Sequence, residues 1–278
     1  MIYKAPYRRF YNEEHYQINW ETQTIKLNPE FHKRLLSFPY TNPNGFRKLT
    51  GTALGDILEV DNFKSQFAAF ARLCGLAMPV LDEKYIRAGV ILEPKILSLV
   101  EQAIGEELQR FDAKEYQYDY FKENKLFGGL PDGFAKQNQI IIEIKTTNEK
   151  NYDFWTNKEV PIGYQKQAQL YAYLMGVDSF SIVAIFLKDE DYTDPNQVDI
   201  LKRKIKNFNF KVNKAQVLDD IKFCEEWYNQ YTKSGISPKW KNGIDNDLIE
   251  YLKCKNQDEW TQLYNHWIAI KKAVPNHE

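Results

Sequence analysis

Ile140–Ile141–Ile142–Glu143–Ile144–Lys145 decides how this chain is read. Its β-branched apolar residues favour a buried strand. A strand points successive side chains to opposite faces, so Glu143 and Lys145 share one face while Ile142 and Ile144 take the other. A carboxylate and an ammonium therefore interrupt one side of an otherwise apolar element. Just upstream, Lys136–Gln137–Asn138–Gln139 is polar and turn-like, and before it Gly128–Gly129–Leu130–Pro131–Asp132–Gly133–Phe134 delivers a second carboxylate. With Gln137 and Asn138 at the tip of a hairpin, Asp132 falls directly across from Glu143. Like charges in that position repel, and a divalent cation held by oxygen ligands is the natural group to sit between them. The plain alternative is an exposed Glu143–Lys145 pair on an edge strand, where such pairs contribute little.

Further out, the two hairpin strands are expected over 127–134 and 139–146. A helix with Pro161 before it and Gly176 at its end is expected over 162–175, then a buried strand over 179–187. Phe63, Phe67, Phe70 and Leu73 recur at helical spacing over 62–73, with Gly75 as a stop, and read as core. The segment 88–100 is helical in period, but Pro94 lies inside it. Proline suits a first helical turn and disrupts an interior, so the helix begins near Glu93 or kinks there. The β–β–α–β order gives an α/β class with a mixed sheet and flanking helices. Residues 202–214 are basic, with Phe208 and Phe210 interleaved, and the rest reads as helices rich in Trp and Tyr.

The 278 residues carry a formal net charge of −1, which neither favours nor excludes nucleic acid, because a local positive groove is enough for binding. Cys74, Cys224 and Cys254 are far apart, without the spacing of a zinc or iron–sulfur site, and read as reduced thiols of a cytoplasmic protein. The histidines, His15, His32, His266 and His277, lie near the two ends, away from the carboxylates. The first residues form no signal peptide, and no apolar run is long enough to span a membrane.

Asp132 behind Pro131, followed by Glu143 and Lys145, resembles the PD-(D/E)XK nuclease superfamily. Gly89-x-x-x-Glu93 adds a third carboxylate on an upstream helix. Gln167-x-x-x-Tyr171 puts two polar side chains on one helix face after the Glu-x-Lys strand. Thr50–Gly51–Thr52, followed by Ser65, is similar to an N-terminal signature. In order and spacing these parts resemble the YqaJ-type viral recombinases and phage lambda exonuclease, over about Arg47 to Leu187. The resemblance implies a restriction-endonuclease-like core over 46–200, an N-terminal extension over 1–45, and a basic and helical region over 201–278 packed on the core.

It also implies the chemistry. Asp132 and Glu143, with the backbone carbonyl of Ile144, would hold Mg²⁺ or Mn²⁺. Glu93 would complete that site or bind a second ion. Lys145, its pKa lowered by the nearby metal and partial desolvation, would orient and help deprotonate the attacking water. Gln167 would position Lys145 or the water, and Tyr171 would support the site. Arg47, the nearest candidate for a 5′-phosphate contact, joins Thr50 and Thr52 as expected DNA-binding residues. Lys202, Arg203 and Lys204 could contact phosphates, with Phe208 near a base, or form a solvated charged face. The implied activity is a DNA nuclease, foremost an exonuclease acting on duplex ends in recombination or mobile-element biology. A restriction-type endonuclease and a catalytically silent DNA-binding module are the alternatives. DNA is the implied partner, with room for a single-strand-annealing or recombination protein and for a homo-oligomer.

Overall fold

A computed structural model describes residues 2–38 and 44–275; His277 lies outside them. In chain order the regular elements are β1 (Tyr16–Asn19), β2 (Thr24–Leu27), α1 (Pro29–Ser37), α2 (Gly51–Ile57), α3 (Gln66–Leu73), α4 (Lys84–Ile104), β3 (Gln109–Arg110), β4 (Gly133–Ala135) and β5 (Ile140–Asn148). There follow α5 (Tyr152–Asn157), α6 (Ile162–Leu174), β6 (Ser179–Leu187), β7 (Lys204–Lys211), α7 (Lys214–Ser234), α8 (Asn246–Lys253) and α9 (Gln257–Ala269).

Ile140 to Lys145 lie in β5, in the middle of a five-stranded mixed sheet of order β3-β4-β5-β6-β7. It pairs antiparallel with β4 in the register Gly133↔Ile142, Phe134↔Ile141, Ala135↔Ile140. Extending that register by one residue puts Asp132 across from Glu143, as the sequence predicts. On its other side β5 runs parallel to β6 from Ile140↔Ser179 to Asn148↔Leu187, the pairing that a crossover through α6 produces. The two sheet faces build separate cores. Ile142 and Ile144 pack with Ala88, Leu92, Ile96 and Leu97 of α4. Ile141 packs with Ala168, Tyr171 and Ala172 of α6.

Four expectations are corrected. The first hairpin strand is short, because residues 127–132 are irregular: Asn124 Oδ1 accepts the N–H groups of Leu126 and Phe127, and Gly129 has φ 132°. Helix α4 neither starts at Glu93 nor breaks at Pro94; it runs unbroken to a left-handed Gly105 cap. Pro94 is exposed, so the carbonyl that loses its partner lies on the watery side, while the buried stripe from Ala88 to Leu97 holds both halves down. Phe63 is 87 % exposed and precedes α3, so it is no part of that helix's core stripe. The basic segment after Lys202 forms the edge strand β7, and Phe208 and Phe210 turn into the core, Phe210 stacking on Phe180 at 5.1 Å.

The chain divides into two units at other places than the sequence suggests. The first gathers 1–49, 56–82 and 223–278; the second holds 50–55 and 83–222. Residues 56–82, expected in the nuclease core, thus group with the chain ends, and β7, expected in the C-terminal region, belongs to the sheet. Within the first unit the termini are stitched together. Tyr3 N–H donates to Asn265 Oδ1 at 2.8 Å, and Trp260 Nε1 donates to the Pro6 carbonyl at 2.9 Å. The buried Arg8 donates to the Phe10 and Tyr251 carbonyls and to the Tyr16 hydroxyl. Cys74, Cys224 and Cys254 are buried, and among the described residues none forms a disulfide. Among the described residues no helix is long and apolar enough to cross a membrane.

Candidate active site

The second unit brings Glu93, Asp132, Glu143 and Lys145 into mutual electrostatic range. β5 supplies two of them because its polar face meets the α6 side of the sheet. Where β4 stops, the Asp132 carboxylate replaces the missing strand neighbour: its Oδ2 accepts the Ile144 N–H at 2.6 Å. Glu143 is fully buried; its Oε2 accepts from Lys145 Nζ at 2.9 Å, and its Oε1 has no hydrogen-bond partner among the described residues. Glu93 lies in the middle of α4, so it does not cap that helix.

One ammonium faces three carboxylates, and the electrostatics follow. Burial, then the Asp132 charge, pushes Glu93 up to about 7. Burial and the Asp132 charge push Glu143 up to about 8. Burial also raises Asp132, against the pull of Lys145 and the Ile144 N–H. Burial works to lower Lys145, but Glu143 and Asp132 outweigh it and hold the ammonium above its ordinary range. The lowered lysine pKa is an expectation for the cation-loaded site; with no cation in place, the two acids raise it.

Among the described residues no three His, Cys, Asp or Glu side chains form a ready-made metal cluster. Asp132 Oδ2 is turned onto the β5 backbone, and Glu143 Oε2 onto Lys145. The donor chemistry still suits a hard cation. A carboxyl oxygen buried without a partner is costly, and Glu143 Oε1 is such an atom among the described residues, beside two more carboxyl groups.

The helix α6 face holds the expected Gln167 and Tyr171, and it explains the Thr50–Gly51–Thr52 signature differently. Thr50 and Thr52 are exposed, whereas Gly51 is the constrained residue. A Cβ there would meet Gln167 Cγ at 2.5 Å and the Tyr171 hydroxyl at 3.1 Å. The Gly51 N–H donates to that hydroxyl, and Tyr171 stacks on Phe121 with ring centroids 5.6 Å apart. Tyr171 thus packs between the Gly51 segment and Phe121. The contacts of Lys145 run to Glu143 and to the ring of Tyr164, whose centroid is 5.2 Å from Nζ. Tyr164 escaped the sequence reading, although it lies three residues before Gln167 on the same helix face. A Cβ on Gly89 would meet only Thr146 Oγ1, at 3.7 Å, an ordinary contact, so packing does not require glycine there.

The remaining expected DNA contacts belong to different units of the chain. Arg47 belongs to the first unit, where its N–H donates to the Leu73 carbonyl at 3.0 Å and Arg9 and Arg72 are its charged neighbours. Arg203 is committed to a two-pronged pair with Asp191, both contacts at 2.6 Å. Lys202 pairs with Asp199 at 3.2 Å, and Lys204 lies 4.2 Å from the Tyr152 ring centroid. Phe208 is near Trp155 in the core rather than free to meet a base.

No family model matches the chain. It is 30 % identical over 249 residues to the uncharacterised protein MG373 of Mycoplasma genitalium, an alignment covering 75 % of this chain and 87 % of that protein. It is 28 % identical over 244 residues to the MG373 homologue of Mycoplasma pneumoniae, covering 70 % and 84 %. Among solved structures, the alkaline exonuclease LHK-Exo of Laribacter hongkongensis superposes with a TM-score of 0.50 at 17 % identity, over 75 % of this chain and 94 % of that one. LHK-Exo in complex with dAMP gives 0.50 at 18 % identity, over 74 % and 92 %. The likeness is one of fold, and it agrees with the mixed sheet and helices described above. The chain belongs to the family of the Mycoplasma protein MG373 and shares the fold of the alkaline exonuclease LHK-Exo.

Proposed function

We propose that the chain is a metal-dependent deoxyribonuclease, foremost an exonuclease that degrades duplex DNA from its ends. The observation that carries this reading is the buried Glu143 with an unpartnered Oε1, set opposite Asp132 and beside Lys145 on an exonuclease fold. Asp132 and Glu143 would hold Mg²⁺ or Mn²⁺, with the Ile144 carbonyl as a further donor and Glu93 joining from α4. A bound divalent ion supplies charge neutralisation and a lowered water pKa. Lys145 would face the negative phosphate and would orient and help deprotonate the attacking water. Its direction is set between the Glu143 carboxylate and the Tyr164 ring. Gln167, on the Tyr164 face of α6, would position Lys145 or the water. Tyr171 keeps Gly51 and α6 together. Among candidate phosphate contacts Arg47 and Lys202 remain in the proposal, and Arg203 is reserved for Asp191.

Purified protein with Mg²⁺ or Mn²⁺, given linear and closed circular DNA, tests the reading. Loss of linear DNA alone supports an exonuclease. Nicked circles move the assignment to an endonuclease, and binding without cleavage moves it to a silent module. Undiminished cleavage by Glu143→Ala or Lys145→Ala would overturn the residue roles.

A further inference from the structure

Glu106 is only 6 % exposed and has no part in the chemistry above. It follows the Gly105 cap of α4 and precedes β3. Its carboxylate grips the tip of the β4–β5 hairpin. Oε1 accepts the Gln137 N–H, and Oε2 accepts the Asn138 N–H at 3.2 Å and Asn138 Nδ2 at 2.7 Å. Burial works against the charge, yet these donors hold the carboxyl below its ordinary range. The segment that carries Glu106 also pairs with the hairpin, through Gln109↔Phe134 and Arg110↔Gly133.

The tip specifies itself poorly. It has no Asn-Gly or Asp-Gly pair, and Gln139 sits at φ 53°, where a residue with a Cβ is disfavoured. Register is the one thing this hairpin must not lose. A slip of one residue turns every side chain of a strand to the opposite face. Glu143 and Lys145 would enter the apolar layer against α4, and Asp132 would lose its opposite number.

We propose that Glu106 is a positioning residue that clamps the hairpin tip and so sets the register that puts Asp132 across from Glu143. The catalytic consequence rests on the nuclease reading; the clamp itself is a property of the metal-free fold. Three variants test it: Glu106→Ala, Glu106→Gln and the double variant Glu106→Ala/Gln139→Gly. The glutamine keeps one acceptor but turns an NH₂ group onto the Asn138 donors. Glycine at 139 removes the conformational penalty and lets the turn specify itself.

The first readout is amide hydrogen exchange at Ile144, whose N–H is held by Asp132, in metal-free protein. Exchange should accelerate about tenfold or more in Glu106→Ala and return towards wild type in the double variant. The second is cleavage of linear DNA in Mn²⁺, where kcat should fall about tenfold with KM nearly unchanged and recover with Gln139→Gly. If Glu106→Ala does not fold, Glu106→Gln carries both readouts. Wild-type exchange at Ile144, or wild-type kcat, in a folded Glu106 variant overturns the proposal, as does failure of Gln139→Gly to restore either. Should the wild-type protein cleave no DNA, the nuclease reading falls separately, and exchange alone judges the clamp.

Discussion

Glu143 and Glu93 are the residues on which pH acts most directly. Both rise from 4.5 in a free chain, to about 8 and about 7. For an acid raised by folding, the native state holds the extra proton between the two values. Its stability is therefore fullest below the unfolded value and declines as pH climbs to the folded one. Metal-free protein should lose stability between about pH 5 and pH 8.5 through these two groups. A divalent cation that compensates the charges should restore it, by about 2.7 kcal/mol at ~100 times its Kd. Melting curves with and without Mn²⁺ should show a larger rise in Tm at the higher pH, and Glu143→Gln should abolish the response. An equal rise at both values, or an unaltered response in Glu143→Gln, would count against a cation at this site. Gly129 supplies a second test. At φ 132° a Cβ would come 2.3 Å from the Tyr171 hydroxyl. Gly129→Ala should cost ~2 kcal/mol or more, read by urea denaturation; a cost near zero would mean that the loop and Tyr171 are not mutually locked.

At the scale of elements, some segments were legible and others were not, for physical reasons. The alternation in β5 and the four polar residues before it were enough to locate the hairpin and the face that carries Glu143 and Lys145, whereas the grip of Glu106 on the tip is a long-range contact that no local pattern shows. Helix α4 was obscured by Pro94, since the local rule is a break and the long buried stripe that overrides it is a tertiary fact. Strand β7 was obscured by its lysines and asparagines, which suit an exposed edge but read locally as a charged run. Pro94→Ala should return an N–H to the Val90 carbonyl and raise stability by about 1–3 kcal/mol; a fall in stability would show that α4 is shaped by the proline rather than in spite of it. On α6, Tyr164 tests the aromatic contact to Lys145. Tyr164→Phe keeps the ring and should keep kcat, whereas Tyr164→Leu should lower kcat about tenfold, equivalent to ~1.4 kcal/mol. Equal rates in the two variants would remove the ring from any role at Lys145.

For the whole molecule, the informative fact is that both chain ends enter the same unit. No local pattern announces this. Tyr3 and Asn265 exchange backbone and side-chain hydrogen bonds at 2.8 and 2.7 Å, and β2 meets the segment after α7 through the Lys26↔Ile236 bridge. Such pairs are invisible to periodicity because the partners lie at opposite ends of the sequence. The candidate site shows the opposite case: every carboxylate in it comes from the second unit, within the stretch where spacing alone carried the reading. Arg8 gives the arrangement of the ends a direct test. It is buried, stacks at 4.0 Å on the Tyr251 ring, and its guanidinium satisfies acceptors on the Phe10 segment, β1 and α8. Arg8→Ala should leave those acceptors unpaired and cost about 3 kcal/mol or more. Hydrogen exchange locates the loss. Amides of β1 and β2 should speed up together with those of α8, because one guanidinium serves both ends of the chain. Faster exchange confined to the first dozen or so residues would instead make the N-terminal segment an appendage rather than a structural part of the unit.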